Sequence, residues 1–146
     1  MGELTPIAAL DTTTKAGARA AERFERELIA WLTTVTPGGQ PQSSPVWFLW
    51  VGGEFLVYSL AVTPRIRNLG ANSRVSLHLN SDDVGGEIVT IEGEALVDLT
   101  APPATAVPAY LAKYRGLIAD YGWTPEQFST DYPIAIRIRP VRFRLA

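Results

Sequence analysis

The chain has 146 residues, of which 47% are hydrophobic and 19% are charged, with a formal net charge of -2 at pH 7. This size and composition predict a single folded domain and exclude a disordered tail. Cysteine is absent and His78 is the only histidine, which excludes disulfides, thiolate or multi-histidine metal sites and a cysteine nucleophile.

Two further function classes are disfavoured by the charge and hydropathy patterns. The slightly acidic balance argues against a broad nucleic-acid-binding surface. No apolar run approaches the roughly 20 residues of a membrane span, and the N-terminus lacks the layout of a signal peptide. We therefore expect a cytoplasmic protein without a membrane span.

The first predicted element is an amphipathic helix that begins near Lys15. Residues 1–14 have little apolar periodicity and are expected to form an N-terminal arm, ordered only if something docks on it. The remaining residues, 15–146, are expected to form one domain. Apolar residues recur at three- and four-residue spacing along the predicted helix, namely Ala18, Ala21, Phe24, Leu28 and Trp31.

A three-stranded antiparallel meander is predicted next, over residues 32–36, 42–51 and 54–60, with glycine-containing turns between the strands. Pro45 cannot donate to a strand ladder, so the middle strand either starts at Val46 or has a bulge or an edge position there. Residues 46–51 are all apolar. Both faces of this run must therefore be covered, one by a core and the other by a helix or a second subunit.

The second half of the chain alternates between helix and strand signals. Thr63 as N-cap, Pro64 at the first position and Gly70 as the stop predict a short helix. Strands are predicted around residues 74–80 and 89–98, and a helix over 107–121 ends at Gly122. One more helical turn is predicted at residues 124–126. A phase slip at Pro140 predicts a bulge in the last strand.

About six strands with short connections and helices near both ends predict a mainly β, α+β fold, a small antiparallel barrel with helical flaps. Gly93, on an otherwise apolar strand face, indicates either a bulge or the close approach of a ligand or another strand.

The short helix at residues 63–70 is the strongest candidate site. Its first turn offers free backbone N–H groups and the positive end of a dipole, and it carries Arg65 and Arg67. These features predict an anion-binding site to which Arg74 could add a third guanidinium. The alternative is that the arginines are solvated or pair with Glu54 or Asp82.

Hydroxyls and aromatic rings surround this helix in the predicted meander. Residues 43–47 and 58–59 combine them in a way that suits a planar heterocycle with a phosphate tail. The alternative for Trp47 and Trp50 is core or dimer packing, which we favour for Trp50. His78 lacks a partner in the sequence pattern and is interpreted as a surface or interface residue rather than a general base.

The order of these elements resembles the flavin/deazaflavin oxidoreductase superfamily, whose members have a split β-barrel similar to pyridoxamine 5'-phosphate oxidase. Within it, the chain is most similar to the actinobacterial F420-dependent class B. The resemblance covers residues 22–146, and its most specific parts are Gly39-Gln40-Pro41, Ser44-Pro45-Val46-Trp47-Phe48 and the basic-x-x-Asn-Leu pattern of residues 65–69. It implies a six-stranded antiparallel split β-barrel with flanking helices.

The resemblance also implies a homodimer with two cofactor sites at the subunit interface, each lined by both chains. It places Arg65, where many relatives have lysine, at the phosphate end of the cofactor, while residues 44–47 pass close to the ring and Tyr58, Ser59 and Arg67 frame the tail. No residue is assigned a catalytic role and no metal is expected. The candidate cofactor-binding residues are Ser44, Pro45, Val46, Trp47, Tyr58, Ser59, Thr63, Arg65, Arg67 and Asn68.

The function implied is hydride transfer from reduced coenzyme F420 to an unsaturated or quinone-like small molecule. Eleven arginines against two lysines, Lys15 and Lys113, are typical of GC-rich genomes such as those of F420-producing actinobacteria. Two alternatives remain open at this point: an FMN-dependent enzyme of the pyridoxamine-phosphate-oxidase type, and a non-catalytic protein that binds a flavin, a deazaflavin or haem.

Overall fold

The computed structural model describes residues 7–146, in which seven strands and four α-helices are found. Residues 1–6 of the expected N-terminal arm lie outside the described residues. The helices are α1 (Lys15–Arg26), α2 (Pro64–Ala71), α3 (Pro108–Asp120) and α4 (Pro125–Asp131). The strands are β1 (Ala30–Val35), β2 (Pro41–Val46), β3 (Leu49–Val51), β4 (Glu54–Ser59), β5 (Arg74–Leu79), β6 (Val89–Asp98) and β7 (Ile134–Leu145).

All seven strands form one antiparallel sheet in the order β2-β1-β5-β6-β7-β4-β3. β2 and β3 are the two outer strands of this order, yet only Trp47 and Phe48 separate them in the chain. Three residue steps span at most about 11 Å, so the opposite edges of the sheet must lie close together. The sheet is therefore curled into a half-barrel, which confirms the predicted fold class with seven strands rather than six.

The predicted three-stranded meander is wrong. β2 pairs with β1, and β3 pairs with β4, but β2 and β3 do not pair with each other. The continuous run of residues 42–51 is divided at Trp47 and Phe48, which accounts for the additional strand. Pro45 lies opposite Trp31 in the outer strand β2. This is the edge position that proline tolerates.

Two apolar clusters cover the two faces of residues 46–50 within a single chain. Val46 and Phe48 belong to the barrel core, which also contains Phe24 of α1, and Trp50 packs against it. Leu49 belongs to a second cluster, the helix core, formed largely by α3 and α4, and Trp47 packs against that one. Residues 46–50 are therefore covered within the chain by the barrel core and the helix core, whereas Val51 is 48% exposed. The covered residues are no longer an argument for a second subunit.

Side chains from α3 stabilise the break between β2 and β3. The hydroxyl of Tyr114 accepts a hydrogen bond from the backbone N–H of Phe48 at 2.7 Å and lies 2.7 Å from the carbonyl oxygen of Leu28. The ammonium of Lys113 donates to the carbonyl oxygens of Phe24 and Phe48 at 3.0 and 2.8 Å. Buried backbone groups need such partners when they leave a strand ladder. The break at Phe48 is thus set by contacts from a helix 65 residues away in the chain.

The partly buried ammonium of Lys113 should make the free energy of unfolding depend on pH. Burial lowers its pKa from 10.5 to about 8, so between these values the unfolded chain binds more protons than the folded one and stability rises with pH. Burial raises the pKa of Tyr110 and Tyr114, which opposes this trend above about pH 10. We expect the free energy of unfolding of the unmodified protein to increase relative to Lys113→Met between pH 8 and 10. Urea unfolding of both proteins across this range measures the difference, and parallel curves would contradict the prediction.

The predicted first helix is correct at its start and too long at its end. Thr14 caps α1 by accepting a hydrogen bond from the N–H of Gly17, and the helix ends at Arg26. Glu27 has an extended backbone, and Trp31 lies in β1 opposite Pro45 and His78. The apolar spacing continued across the boundary, so periodicity alone did not reveal where the helix ends.

The predicted N-cap of α2 at Thr63 and the predicted end of α3 at Gly122 are confirmed. Thr63 and Thr124 cap α2 and α4 by accepting hydrogen bonds from backbone N–H groups. Gly122 follows α3 with a positive φ of 76°. Gly70, however, lies inside α2, which ends at Ala71, so the predicted stop is wrong by one or two residues.

The phase slip at Pro140 is a bulge in the pairing of β6 with β7. Glu92 pairs with Arg142, whereas Gly93 pairs with Pro140, so one residue of β7 is extra. A Cβ atom on Gly93 would lie 2.7 Å from the carbonyl oxygen of Arg139. Of the alternatives left open for Gly93, the bulge and the close approach of another strand are both present.

The described part of the N-terminal arm contacts the barrel. The N–H of Ala8 donates to the carbonyl oxygen of Pro140 at 2.8 Å, and Leu10 packs against the barrel core. Among residues 7–146, no helix combines the length and the apolar content that crossing a bilayer requires.

Candidate functional site

A cavity of about 860 Å³ lies between the β2 edge of the sheet, the start of α2, and the helices α3 and α4. It contains seven of the ten sequence-predicted site residues. These are Ser44, Pro45, Val46, Trp47, Tyr58, Thr63 and Arg65. The structure thus brings residues from β2, β4 and α2 to one place.

Arg65 is the main charged group of the cavity. Its guanidinium donates to the hydroxyls of Ser44 at 2.8 Å and Ser59 at 3.4 Å, while its Nε is buried without a hydrogen-bond partner. Burial lowers the pKa of Arg65, and the nearby Tyr132 partly offsets this. An arginine stays charged even so, which leaves a half-buried cation beside two hydroxyls.

No carboxylate of the described residues neutralises Arg65. Glu54, one suggested partner, pairs with Arg137 at 2.8 Å. The other, Asp82, accepts hydrogen bonds from the backbone N–H groups of Val84 and Gly86. The alternative in which Arg65 pairs with one of these acids is therefore wrong. The N-terminus of α2, capped by Thr63, adds its positive dipole end beside the guanidinium.

Six of the aromatic side chains that line the cavity form a group that we call the aromatic cluster. Trp47 stacks on Phe128, with ring centroids 5.4 Å apart. Phe128 in turn stacks on Tyr132 at 4.8 Å. Rings in such contact pack into one continuous apolar wall. The members of the cluster are Trp47, Tyr110, Tyr121, Trp123, Phe128 and Tyr132.

Sequence reasoning found only Trp47 of this cluster. Tyr110 lies within the helix predicted over residues 107–121, and no binding role is predicted for it or for the aromatic residues at 121–132. The high frequency of aromatic residues between positions 110 and 132 could have indicated an aromatic cluster in this part of the chain. Their convergence on Trp47 depends on how α3 and α4 pack across the sheet, which no local pattern specifies.

Three predicted residues do not line the cavity. Ser59 is fully buried and contacts it only through Arg65. Asn68 is also buried, and its amide donates to Thr34 Oγ1 and Gln42 Oε1, each at 2.9 Å. Because Thr34 and Gln42 line the cavity, Asn68 positions its wall. Arg67 is exposed on α2 and is not among the lining residues.

His78 and Arg74 also lie outside the lining of this cavity. The Nδ1 atom of His78 is 3.0 Å from the carbonyl oxygen of Leu79, and its ring stacks on Trp31. Arg74 is exposed at the start of β5. Neither residue therefore contributes to the cavity of this chain.

Residues 17–142 match the sequence profile of the pyridoxamine 5'-phosphate oxidase family. The matched residues include strands β1 to β6, β7 as far as its bulge, and every residue that lines the cavity. The chain belongs to this family. Among curated proteins, no sequence matches it.

Several solved structures resemble this chain along most of its length. An F420 reductase is 26% identical, covers 84% of this chain and 94% of its own, and superposes with a TM-score of 0.59. HutZ, a haem storage protein of Vibrio cholerae, is 16% identical with coverages of 94% and 95% and a TM-score of 0.63. An FAD-binding protein of Mesorhizobium loti is 16% identical with coverages of 86% and 90% and a TM-score of 0.60. The last two show the shared fold alone.

Proposed function

We propose that this family member is an oxidoreductase that binds reduced coenzyme F420 in the cavity and transfers a hydride to an unsaturated or quinone-like small molecule. The observation that carries the proposal is the half-buried guanidinium of Arg65. It borders the cavity with an unpartnered Nε and no carboxylate among the described residues close enough to pair with it. A partly buried cation without a counter-charge is stabilised when an anion binds beside it.

The residues present fit a planar ring with a phosphate-bearing tail. Arg65, together with the start of α2 and the hydroxyl of Ser44, would hold the anionic tail. Residues 45–47 and the aromatic cluster offer flat apolar surface for the ring. A volume of about 860 Å³ is within the range of small-molecule sites. Ser59, Arg67 and Asn68 remain in the proposal, with Ser59 and Asn68 acting through their contacts with cavity residues.

The chemistry that reduced F420 supplies when bound is donation of a hydride. The protein's own contribution is to position the reactants and keep water away from them. The aromatic cluster and Val46 provide the apolar surface that excludes water. We assign no side chain as a proton donor. The F420 reductase with 26% identity supports F420 over other cofactors.

The proposal includes a homodimer with the site shared between subunits and a cytoplasmic location. Exposed apolar side chains near the cavity are an argument for the homodimer. Val62 is 94% exposed, and Leu60, which lines the cavity, is 43% exposed. Burial of such side chains against a second subunit is favourable.

Titration of the purified protein with F420, FMN and haem tests the proposal. We expect F420 to bind most tightly, with two molecules per dimer by analytical ultracentrifugation, and reduced F420 to be oxidised when quinone acceptors are added. Binding of FMN or haem in preference to F420 would replace this function with one of the alternatives. Binding of F420 without turnover by any acceptor would indicate a carrier protein.

A further inference from the structure

The hydroxyl of Tyr110 is a buried polar group that the structure leaves without a hydrogen bond. Tyr110 is fully buried, its hydroxyl has no partner among the described residues, and the residue borders the cavity. Two other tyrosines near it are satisfied. The hydroxyl of Tyr58 donates to the carbonyl oxygen of Pro102, and that of Tyr114 contacts backbone groups of Leu28 and Phe48.

An unpaired buried hydroxyl destabilises a fold because it has lost its hydrogen bonds to water. The large majority of buried polar side-chain atoms in proteins have a partner, so an exception needs an explanation. Arg65, whose Nε is also buried without a partner, lines the same cavity. Two buried donors without partners at one cavity are explained together if a bound ligand supplies the acceptors.

The surroundings of Tyr110 define the chemistry of the missing partner. Rings of Tyr58, Tyr114 and Phe128 surround it, with centroids 5.0, 5.0 and 5.9 Å from its own. Burial raises the pKa of Tyr110, and the neighbouring tyrosines raise it further. The hydroxyl therefore stays protonated and is a donor. A ligand that lies against the aromatic wall of the cavity and accepts this hydrogen bond is a flat ring bearing an oxygen acceptor.

We propose that Tyr110 is a ligand-binding residue whose hydroxyl donates a hydrogen bond to a ring carbonyl oxygen of a planar ligand held by the aromatic cluster. It selects carbonyl-bearing rings over hydrocarbon rings of the same shape. This inference rests on the proposed function, since both a deazaflavin ring and a quinone-like substrate carry such carbonyls. The experiment distinguishes these two sources.

The first measurement is the thermal stability of the ligand-free protein. Tyr110→Phe removes a hydroxyl without a partner, so the midpoint of unfolding should stay unchanged or rise. The matched control is Tyr114→Phe, one turn later on α3, which removes a hydroxyl with backbone partners. The midpoint of that variant should fall.

The second measurement is binding by equilibrium dialysis. The probes are F420, menadione and 2-methylnaphthalene, which has the shape of menadione without its carbonyl oxygens. Tyr110→Phe should weaken the binding of either F420 or menadione by about three- to tenfold, the effect of one neutral hydrogen bond. It should leave 2-methylnaphthalene unaffected. If Tyr110→Phe loses affinity for F420, the carbonyl that Tyr110 binds belongs to the cofactor. If it loses affinity for menadione, the carbonyl belongs to the substrate.

The inference is overturned if Tyr110→Phe lowers stability as Tyr114→Phe does and leaves both carbonyl probes bound as before. In that case the hydroxyl has a structural partner such as a fixed water. It is also overturned if Tyr110→Phe binds all three probes more weakly by the same factor, or if the unmodified protein binds neither carbonyl probe. Failure of the unmodified protein to bind F420, with binding of menadione that depends on Tyr110, refutes the proposed cofactor and leaves this inference standing.

Discussion

Arg65→Ala is expected to weaken F420 binding by about one to two powers of ten. Charge-assisted hydrogen bonds contribute roughly 1.5 to 3 kcal/mol, and about 1.4 kcal/mol corresponds to one power of ten in affinity. Arg65 is the charged residue that lines the cavity, and its Nε is unpartnered. The loss should be larger at low salt because screening is weaker there. Fluorescence titration of both proteins at two salt concentrations measures it.

Two further variants show whether charge or geometry is responsible. Arg65→Lys should recover part of the affinity, because it keeps the charge but loses the planar fork of donors. Arg115→Ala removes an arginine from the exposed face of α3 and should bind F420 as the parent does. Equal affinity of Arg65→Ala and the parent for both F420 and FMN would show that the cavity is not the cofactor site.

Ser44→Phe is expected to reduce turnover by about 100-fold. Ser44 lines the cavity and accepts a hydrogen bond from Arg65, so a large ring there displaces the guanidinium and occupies space next to residues 45–47. A displacement of about 1 Å of the reacting groups is enough for a loss of this size. Single-turnover oxidation of reduced F420 by menadione, at saturating concentrations, measures the step.

His78→Ala is the matched control for this experiment. His78 lies outside the lining of the cavity and stacks on Trp31, so turnover should stay within a few-fold of the parent. A general acid or base contributes about 10²- to 10⁴-fold. A loss of that size in His78→Ala, with cofactor affinity and folding intact, would show that this histidine does acid–base chemistry.

Much of the candidate site could be predicted because its signals are local in the chain. Thr63, Pro64 and Arg65 are consecutive, and an N-cap is a hydrogen bond between a side chain and a backbone group three residues away. The serine and aromatic residues at 44–47 are likewise adjacent. Asn68 is also predicted as a cofactor-binding residue, and its amide donates to Thr34 and Gln42, a contact that no local pattern indicates. Its role depends on which strand packs under α2.

The amino-acid sequence by itself determined the α+β class, the capped helix α2 and the bulge at Pro140. The class follows from the order of helix and strand patterns, and the cap and the bulge follow from backbone constraints of one residue or from hydrogen bonds within one turn. Only the tertiary structure decided that residues 42–51 divide into two strands at opposite edges of the sheet. It also decided that α3 and α4 bring the other members of the aromatic cluster to Trp47. Those features arise from contacts such as Lys113 and Tyr114 with Phe48. Residues that are 65 or more positions apart make these contacts only after the chain has folded, so no periodicity in the sequence encodes them.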